Sequence, residues 1–600
     1  MIRKLLGLIL TCIVFVSSAF AQNAYGLPEN IQDGNILHCF SWPLKDVKAN
    51  LKNIAEAGFG AVQVSPLQRP SITSNSIWYD VYRPYDFAFK ESAGLGTEAE
   101  LRALCEEAKE YGIKIIVDVV ANHVDKQDYV DPWWKSNNDY VRSWGGTPNI
   151  NYGNRNSITH DRLGDYAEVN SENADVIARA KAYVEWLRDA GVSGIRWDAA
   201  KHIGLPSEGC NFWKEVTSVD GIWHYGEILG TPGPNKDALM KEYAQYMSVT
   251  DSRYSDTAAD SNNGIAVKKN GEWAPLLGTD KLVYWGESHD TYSNTPDYGG
   301  WSNGIDQAVI DRAYAAVACR EGATALYLSR PKTRSNIKIG KGTDAYQSNA
   351  ISEVNKFRNK MNGRSEYFYS DGNMVCVTRN NGGAVIVTKG AQSFSLPNGG
   401  GLCPEGTYTD RVGGGTFTVT STSITGKTDN SGIAVIYNDV LPAPKDVPAQ
   451  DFESDSDAIT IYYDNSETAW TVVNCHYWGG ETTTSWPGVR MTKVETDAKG
   501  RDIYILTAPG GSQAVFNANS SPQTVDSPKL LANHVYKGLK ETDNGKHKLT
   551  DTGVYDGVNG ITVIEEEMSS AKVIYDMRGI RVSNPQPGNI YIVNGKKVIF

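Results

Sequence analysis

The stretch Gly191-Val-Ser-Gly-Ile-Arg-Trp-Asp-Ala-Ala-Lys-His202 comes directly after a segment with helical periodicity and ends in a cluster of charged residues. Its apolar part predicts a short strand over Gly194–Trp197. Arg196 and Asp198 are two positions apart, so on an extended strand their side chains point to the same face. There the guanidinium would keep the carboxylate ionised, as a nucleophile requires. An ordinary ion pair is the more common reason for such a spacing, and this stretch alone does not decide between the two.

Around this stretch, short apolar runs alternate with amphipathic helical patterns from residue 35 to about 360. Predicted strands are Ile36–Phe40, Ala61–Val64, Lys114–Val120, Gly194–Trp197, Ile222–Tyr225 and Lys281–Trp285. Not every strand of the alternation is visible in the sequence, and the sixth strand of the barrel, which is not among these, is the least distinct. Predicted helices are Leu44–Ala57, 97–111 after the capping box Thr97-Glu-Ala-Glu100, Ala174–Ala190, Lys236–Tyr246, Asp306–Arg320 and Ala350–Met361. Since no Gly-x-Gly-x-x-Gly follows a strand, the alternation predicts a parallel (β/α)8 TIM barrel rather than an open doubly wound sheet.

The helical period ends near residue 362, and short strands separated by Gly and Asn clusters follow. They predict a small antiparallel β-sandwich, then a stiff Pro-rich linker from Leu441 to Pro448, then further β-rich modules. The predicted domains are a barrel at 22–362 with an excursion at about 124–164, a β-sandwich at 363–440, a linker at 441–455, a β-sandwich module at 456–540 and a small β-rich tail domain at 555–600.

Composition limits the partners of this chain. A length of 600 residues is too great for one core, so several domains are expected. The net charge of -12 argues against a nucleic-acid partner. The 15 Trp and 32 Tyr residues supply flat, half-polar surfaces of the kind on which sugars stack.

The amino terminus has the layout of a secretory signal peptide over residues 1–21, with Arg3 and Lys4, an apolar run from Leu5 to Val16, and Ala19-Phe-Ala21 before the predicted cleavage point. No later apolar run is long enough to span a membrane. Removal of this segment leaves seven cysteines without close spacing, namely Cys39, Cys105, Cys210, Cys319, Cys376, Cys403 and Cys475. They predict neither a disulfide framework nor a zinc site, although one or two bridges are left open. Cys105 and Cys319 fall in helical patterns and are predicted to be buried thiols.

Polar residues just past the strand ends of such a barrel converge at one mouth. Here they are Tyr82, Asn122, His123, Arg196, Asp198, Glu227, His289 and Asp290. Three carboxylates without a Cys/His metal set or a Ser nucleophile elbow predict glycoside chemistry. The aromatic and apolar surroundings of Glu227, in Trp223-His-Tyr-Gly-Glu-Ile-Leu229, would raise its pKa and let it donate a proton near neutral pH. Spacing alone does not assign roles to the three acids.

Four segments resemble, in order and separation, the sequence motifs of the α-amylase family of glycoside hydrolases (family 13): Asp118-Val-Val-Ala-Asn-His123, Gly194–His202, Gly226-Glu227 and Glu287-Ser-His-Asp290. Trp78-Tyr-Asp-Val-Tyr-Arg-Pro84 resembles the aromatic loop of that family. The resemblance covers roughly residues 30 to 440. It implies Asp198 as nucleophile, Glu227 as acid/base and Asp290 as transition-state stabiliser, with a substrate-binding set of Trp78, Tyr79, Tyr82, His123, Arg196, Lys201, His202 and His289.

The same resemblance implies a structural calcium ion between the barrel and the excursion. Asn122, Asp165 and the backbone carbonyl of His202 match the ligand positions, and oxygen ligands of this type suit calcium. Chloride-activated members place an Asn two residues before the last catalytic Asp, where this chain has Ser288. Chloride dependence is therefore not expected.

The module at 456–540 is similar to starch-binding carbohydrate modules of family 26 through Cys475-His-Tyr-Trp478, Trp486–Met491, Phe516–Asn519 and Gln523-Thr524. Tyr477 and Trp486 are the predicted starch contacts. An alternative is left open, in which one of Trp470, Trp478 or Trp486 belongs to the core of the module. The tail, with Val573–Arg581 and Pro587–Val598, is similar to C-terminal sorting domains of type IX secretion.

Together with these patterns, the resemblance implies a secreted, monomeric, calcium-stabilised, retaining α-amylase that cleaves internal α-1,4-glucosidic bonds of starch. One alternative is a transglycosylase with the same acids, which would pass the glycosyl intermediate to a sugar instead of water. Another is a glycan-binding surface protein on a decayed barrel, against which the intact Asp198, Glu227 and Asp290 argue.

Overall fold

The computed structural model describes residues 24–600 apart from 146–149, 253, 255–270, 372, 446–457, 481–482, 494–499, 556–573, 576–580, 583–589, 594–595 and 600. The signal peptide predicted at residues 1–21 lies outside the described residues. The chain divides into two compact units, residues 1–448 and 449–600, and the division falls within the predicted linker.

Eight parallel strands close into a barrel in the first unit, which confirms the predicted (β/α)8 fold. Each strand pairs with the next along the chain, and the eighth pairs with the first. They are β1 (Asn35–Cys39), β2 (Ala61–Val64), β3 (Lys114–Val120), β4 (Gly194–Asp198), β5 (Trp223–Gly226), β6 (Ser248–Thr250), β7 (Leu282–Trp285) and β8 (Thr324–Leu328).

The main helices of this unit are Leu44–Ala49, Leu51–Glu56, Glu98–Tyr111, Ala174–Asp189, Lys236–Tyr246, Gln307–Ala318 and Asn349–Lys360. Thr97 caps the third of them, because its side chain accepts from the Glu100 amide and Glu100 accepts from the Thr97 amide. The predicted helix Leu44–Ala57 is instead broken at Asn50. There the Asn50 side chain donates to the Asp46 carbonyl at 2.7 Å and replaces the backbone donor that would continue the helix.

The barrel interior is layered from apolar to polar along the strands. Its lower layer contains Ile36, Ala61, Ile116, Tyr225, Val283 and Leu326, all buried. Two residues further along the same inward faces stand the buried polar side chains His38, Gln63, Asp118 and Arg196. The strand period therefore carries polar groups to the carboxyl-terminal mouth above an apolar floor.

Between β3 and β4 the chain forms an excursion with strands His123–Val124, Val141–Ser143 and Ala167–Val169 in one sheet, and with the helix Arg155–His160. After the last helix, two four-stranded antiparallel sheets follow, with strands Glu366–Ser370, Met374–Arg379, Gly383–Thr388, Ser393–Pro397, Gly406–Thr409, Thr416–Val419, Ser423–Lys427 and Ile433–Tyr437. The buried Arg320 joins the barrel to the first of these sheets, since its Nη2 lies 2.8 Å from Oε1 of Glu366.

The second unit contains a five-stranded sheet of Ala458–Asp464, Thr492–Lys493, Ile503–Pro509, His534–Asp543 and Lys546–Val554, and a three-stranded sheet of Asn474–Trp478, Val489–Arg490 and Gln513–Asn517. Trp470 belongs to its core with Tyr463 and Phe516. Of the three tryptophans left open by the sequence, Trp470 is thus the core residue. Four short strands, Ile574–Tyr575, Arg581–Val582, Ile590–Val593 and Lys596–Ile599, form a separate sheet in the tail, most of which lies outside the described residues.

All seven cysteines of the described chain are buried free thiols, and no disulfide joins them. Cys105 lies within its helix and Cys319 directly follows Gln307–Ala318, so both predicted buried thiols are confirmed. Within the described ranges, no helix has the length and apolarity needed to cross a membrane.

Candidate active site

Arg196 lies at the centre of a buried carboxylate cluster at the mouth of the barrel. Its Nη1 lies 2.9 Å from Oδ1 of Asp118 and 2.8 Å from Oδ1 of Asp198. Its Nη2 lies 2.6 Å from Oε1 of Glu227. The strand register explains this arrangement, since Asp118 of β3 is directly opposite Arg196 of β4, and Glu227 directly follows β5. The guanidinium of Arg196 therefore forms ion pairs with three carboxylates.

The three acids hold their protons more tightly than exposed carboxyls do. Burial raises the pKa of Asp118 and of Asp198 to about 7, and Arg196 offsets it only in part. Arg196 lowers the pKa of Asp198, in the direction that the sequence predicted, while burial and the negative charge of Glu227 raise it. Burial also raises the pKa of Glu227, as the sequence predicted for a proton donor.

The backbone after β4 orients Glu227. Its Oε2 accepts a hydrogen bond from the Ala199 amide at 3.0 Å. Ala199 has a φ of 50°, in the left-handed region that non-glycine residues seldom adopt. This turn directly after Asp198 points the amide at Glu227, so the backbone couples the positions of the two acids.

Asp290 lies in the first turn of the short helix His289–Ser293, which Ser288 caps. Its Oδ1 accepts from Nδ2 of Asn294 at 3.0 Å. The neighbouring His289 stacks on Tyr82, with ring centroids 5.4 Å apart, and its Nε2 lies 3.0 Å from the Tyr82 hydroxyl. That hydroxyl donates to Oδ2 of Asp118 at 2.9 Å, so it accepts from His289. Burial lowers the pKa of His289 to about 3, and the ring is therefore neutral at physiological pH.

A cleft of about 850 Å³ opens above the cluster. Of the predicted residues, Trp78, Tyr79, Tyr82, His123, Asp165, Asp198, Glu227, His289 and Asp290 line it. Residues not predicted from the sequence also line it, namely Arg83, Tyr152, Leu163, Gly164, Tyr166, Ala199, Ser293, Asn294, Thr295 and Tyr298. Tyr79, Tyr152 and Tyr298 expose 39%, 52% and 80% of their surface, so aromatic faces surround the acids.

His123 of the cleft lining and two further predicted residues, Lys201 and His202, hold the cleft walls together. The Nε2 of His123 lies 3.0 Å from the Tyr82 carbonyl, and its ring stacks on Tyr166 at 4.2 Å. Lys201 donates to the Leu229 carbonyl at 2.7 Å, and its ammonium lies 5.0 Å from the Tyr152 ring centroid. His202 is buried, and its Nδ1 lies 2.9 Å from the Ile158 carbonyl in the excursion helix.

The residues predicted to hold calcium are only partly brought together. Nδ2 of Asn122 donates to Oε2 of Glu168 at 3.2 Å, and Glu168 is buried. Asp165 is instead an exposed side chain on the cleft wall. The acid beside Asn122 is therefore Glu168. It reaches this position because Glu168 is the antiparallel strand partner of His123, the residue after Asn122. Among the described residues, no group of three or more His, Cys, Asp or Glu side chains is arranged to hold a metal.

In the second unit, alternation along Asn474–Trp478 places Tyr477 on the opposite face from His476 and Trp478. Tyr477 packs against the core of the module, which argues against its predicted role as a starch contact. Trp486 is 46% exposed, and its ring centroid lies 5.4 Å from that of His476. His476 lies 5.5 Å from Trp478, so these three rings form the aromatic surface of the module.

Two segments of the chain match known protein families. Residues 41–259 match the alpha amylase catalytic domain, and residues 461–529 match starch-binding module 26. An alpha-amylase from Clostridium acetobutylicum is 32% identical over 489 residues, which cover 76% of this chain and 61% of the relative. An alpha-amylase from Butyrivibrio fibrisolvens is 28% identical over 482 residues, covering 69% of this chain and 48% of the relative. This chain thus spans between about half and three-fifths of the length of these relatives.

Solved structures agree on the fold. Wild-type alpha-amylase I from Eisenia fetida superimposes with a TM-score of 0.55 at 17% identity, covering 68% of this chain and 97% of that protein. An alpha-amylase from Malbranchea cinnamomea gives 0.52 at 16% identity, with coverage of 68% and 97%. Residues 41–259 therefore match the alpha amylase catalytic domain and residues 461–529 match starch-binding module 26, on a fold that the solved alpha-amylases share.

Proposed function

We propose that this protein hydrolyses internal α-1,4-glucosidic bonds of starch and related glucans, with retention at the anomeric carbon. The observation that carries the proposal is the placement of Asp198 and Glu227 on the two terminal nitrogens of Arg196, below a cleft that Asp290 also lines. Retaining glycosidases need carboxyl groups about 5 to 5.5 Å apart, and a shared guanidinium favours such close spacing. The names of the relatives support the substrate class.

In the proposed reaction, Asp198 attacks the anomeric carbon while Glu227 protonates the glycosidic oxygen. The bond from that carbon to oxygen breaks as an ester to Asp198 forms, and the negative charge moves from Asp198 to Glu227. Arg196 contacts both groups, so it stabilises the carboxylate on either side of this step. Glu227 then takes a proton from water, which attacks the anomeric carbon and releases Asp198.

Asp290 stabilises the transition state by accepting hydrogen bonds from sugar hydroxyls. Its link to Asn294 holds one oxygen, and the side chain is 24% exposed and open to the cleft. The neutral His289 and the Tyr82 hydroxyl bind the sugar on the side of the aromatic loop. Trp78 and Tyr79 continue that wall.

We further propose that the aromatic surface of the module, His476, Trp478 and Trp486, holds starch near the catalytic domain. Calcium would be structural and held by Asn122, Glu168 and the carbonyl of His202, since side-chain and carbonyl oxygens are the donors that it takes. Chloride is not required. The protein would be a monomer, exported by the signal peptide at residues 1–21 and sorted by its tail at 555–600.

The test follows the products formed from soluble starch over time, with the Glu227→Gln variant alongside. New reducing ends in the parent that fall at least about 1,000-fold in the variant support hydrolysis with Glu227 as acid/base. Longer or rearranged chains would instead support transglycosylation. A parent without activity on starch or any other α-glucan would support the glycan-binding alternative.

A further inference from the structure

Tyr298 stands at the rim of the cleft with 80% of its surface exposed. It ends the single turn Pro296–Tyr298, eight residues after Asp290. A large aromatic side chain in this position leaves apolar ring faces in water, and an isolated exposed tyrosine needs no function. It lines the same cleft as Asp198, Glu227 and Asp290, which distinguishes it from an ordinary surface residue.

The backbone around Tyr298 is firmly held. The amides of Tyr298 and Gly300 both donate to the Thr295 carbonyl, at 2.9 and 3.0 Å. A side chain at Gly300 would place its Cβ 1.8 Å from the Asn294 carbonyl oxygen, so the turn closes tightly there. This turn fixes the backbone from which Tyr298 extends, and little conformational freedom of the main chain would be lost when a ligand contacts the ring.

The turn is also anchored to the segment that carries Asp290. The amides of Trp301 and Ser302 donate to the Thr291 carbonyl at 2.8 and 2.9 Å. Asn303 donates to the carbonyls of Tyr292 and Arg334. Tyr298 is thus carried by the same hydrogen-bonded segment that positions the third acid.

We propose that Tyr298 is a stacking platform for a glucose ring of a bound α-glucan, in a subsite that extends the catalytic cleft. The inference rests on the proposed function of the cleft. A glucose ring presents a face of C–H groups, which packs on an aromatic face and leaves the hydroxyls in water. Because, within the described part of the chain, no hydrogen bond joins Tyr298 to any of the three acids, its contact strengthens binding without altering the chemical step.

The test compares the full-length parent with Tyr298→Ala and Tyr298→Phe, using a long linear α-glucan and a soluble maltotrioside. Tyr298→Ala is expected to lower kcat/KM on the long glucan about 3- to 10-fold, mainly through a higher KM. Tyr298→Phe is expected to keep the parent kcat/KM, because the ring and not the hydroxyl makes the contact. Tyr129 is 60% exposed and does not line the cleft, so Tyr129→Ala is the matched control and should behave as the parent.

Two results would overturn the inference. One is a Tyr298→Ala variant with the parent kcat/KM on both substrates. The other is a Tyr298→Phe variant that loses as much as Tyr298→Ala, which would assign the effect to the hydroxyl or to the fold of the turn. A parent that hydrolyses neither substrate would contradict the proposed function itself, and the inference with it, whereas an active parent with an unaffected Tyr298→Ala contradicts the platform alone.

Discussion

Asp118 and Arg196 face each other across β3 and β4, and one guanidinium nitrogen of Arg196 lies 2.9 and 3.0 Å from the two carboxylate oxygens of Asp118. The same acid accepts from the Tyr82 hydroxyl. Asp118 therefore connects the arginine that holds Asp198 and Glu227 to the Tyr82–His289 pair on the cleft wall.

Asp118→Asn is expected to lower kcat/KM on starch about 10- to 100-fold, the usual range for residues that orient a catalytic group. The reason is that Arg196 loses an ionic partner and Tyr82 loses a charged acceptor. The measurement is steady-state kinetics on soluble starch. Asp86 is an equally buried acid that pairs with Arg179 at 2.6 Å and does not line the cleft, so Asp86→Asn is the matched control. Parent-like kinetics of Asp118→Asn would contradict the positioning role.

The pH dependence of kcat/KM should reflect the whole cluster rather than one acid. Arg196 faces Asp118, Asp198 and Glu227, and Asp290 adds a further negative charge near Asp198. With the pKa of Asp198 raised to about 7, its nucleophilic form is lost as the pH falls below that value, so kcat/KM should decline on the acid side of neutrality.

Asp118→Asn gives Arg196 one carboxylate fewer to stabilise, which should lower the apparent pKa of Asp198 and shift the acid limb of kcat/KM to lower pH. The profile is measured between about pH 4.5 and 9 in buffers of constant ionic strength. An acid limb that stays in place, or moves to higher pH, would mean that Asp118 does not compete for Arg196.

Arg155 ties the excursion to the loops after β4 and β5. All five of its N–H groups have acceptors: Glu208 takes two at 2.8 Å, Tyr243 one at 2.8 Å, and the carbonyls of Lys201 and Pro232 take the rest at 2.6 and 3.1 Å. Arg155→Met should reduce the free energy of unfolding by about 1.5 to 3 kcal/mol, since Glu208, which keeps the Leu205 amide as a donor, loses its charged partner and the Pro232 carbonyl loses its donor.

Urea unfolding followed by tryptophan fluorescence measures this loss, and the double variant Arg155→Met with Glu208→Met should recover part of it. Arg102, whose pair with Glu98 is solvent-exposed, provides the control, and Arg102→Met should cost less than about 1 kcal/mol. Equal costs for the two arginines would show that Arg155 is an ordinary surface residue.

Starch adsorption by the module should depend on Trp486 and not on the hydroxyl of Tyr477. Trp486→Ala is expected to weaken adsorption to granular starch about 2- to 10-fold, because an exposed stacking face is removed. Tyr477→Phe should adsorb like the parent, since its ring packs against the core. Depletion assays with the Glu227→Gln background avoid digestion of the granules, and a weakened Tyr477→Phe would restore Tyr477 as a contact.

Much of the barrel could be predicted because its strands carry strong local signals. The run Lys114–Val120 is almost wholly apolar, and its predicted bounds match the structure. The strands β6 and β8 are not among the predicted strands: Ser248–Thr250 is only three residues long, and Thr324–Leu328 is a short run separated by five residues from the helix Gln307–Ala318. Closure of the barrel, not local pattern, defines these two strands.

Some residues of the candidate active site could likewise be predicted from the sequence, and others could not. Residues at strand ends could be found because parallel strands bring their ends together, and Arg196, Asp198 and Glu227 are indeed joined by contacts. Asp118 could have been found as the one acid within an apolar strand. Tyr152 and Tyr298 come from loops whose paths depend on tertiary packing, and no spacing in the sequence places them at the cleft.

The calcium proposal can be tested through the acid that accompanies Asn122. Glu168 is buried beside Asn122, whereas Asp165 is exposed on the cleft wall. Removal of calcium with a chelator should lower the Tm of the parent by several degrees, because an ion that binds only the folded state stabilises it by mass action. In Glu168→Gln the chelator should have little further effect, while Asp165→Asn should respond like the parent. Thermal unfolding with and without added calcium measures the change in Tm for the parent and both variants. A calcium-dependent change in Tm that disappears in Asp165→Asn but persists in Glu168→Gln would assign the ligand to Asp165. A parent whose Tm does not depend on calcium would contradict the calcium site altogether.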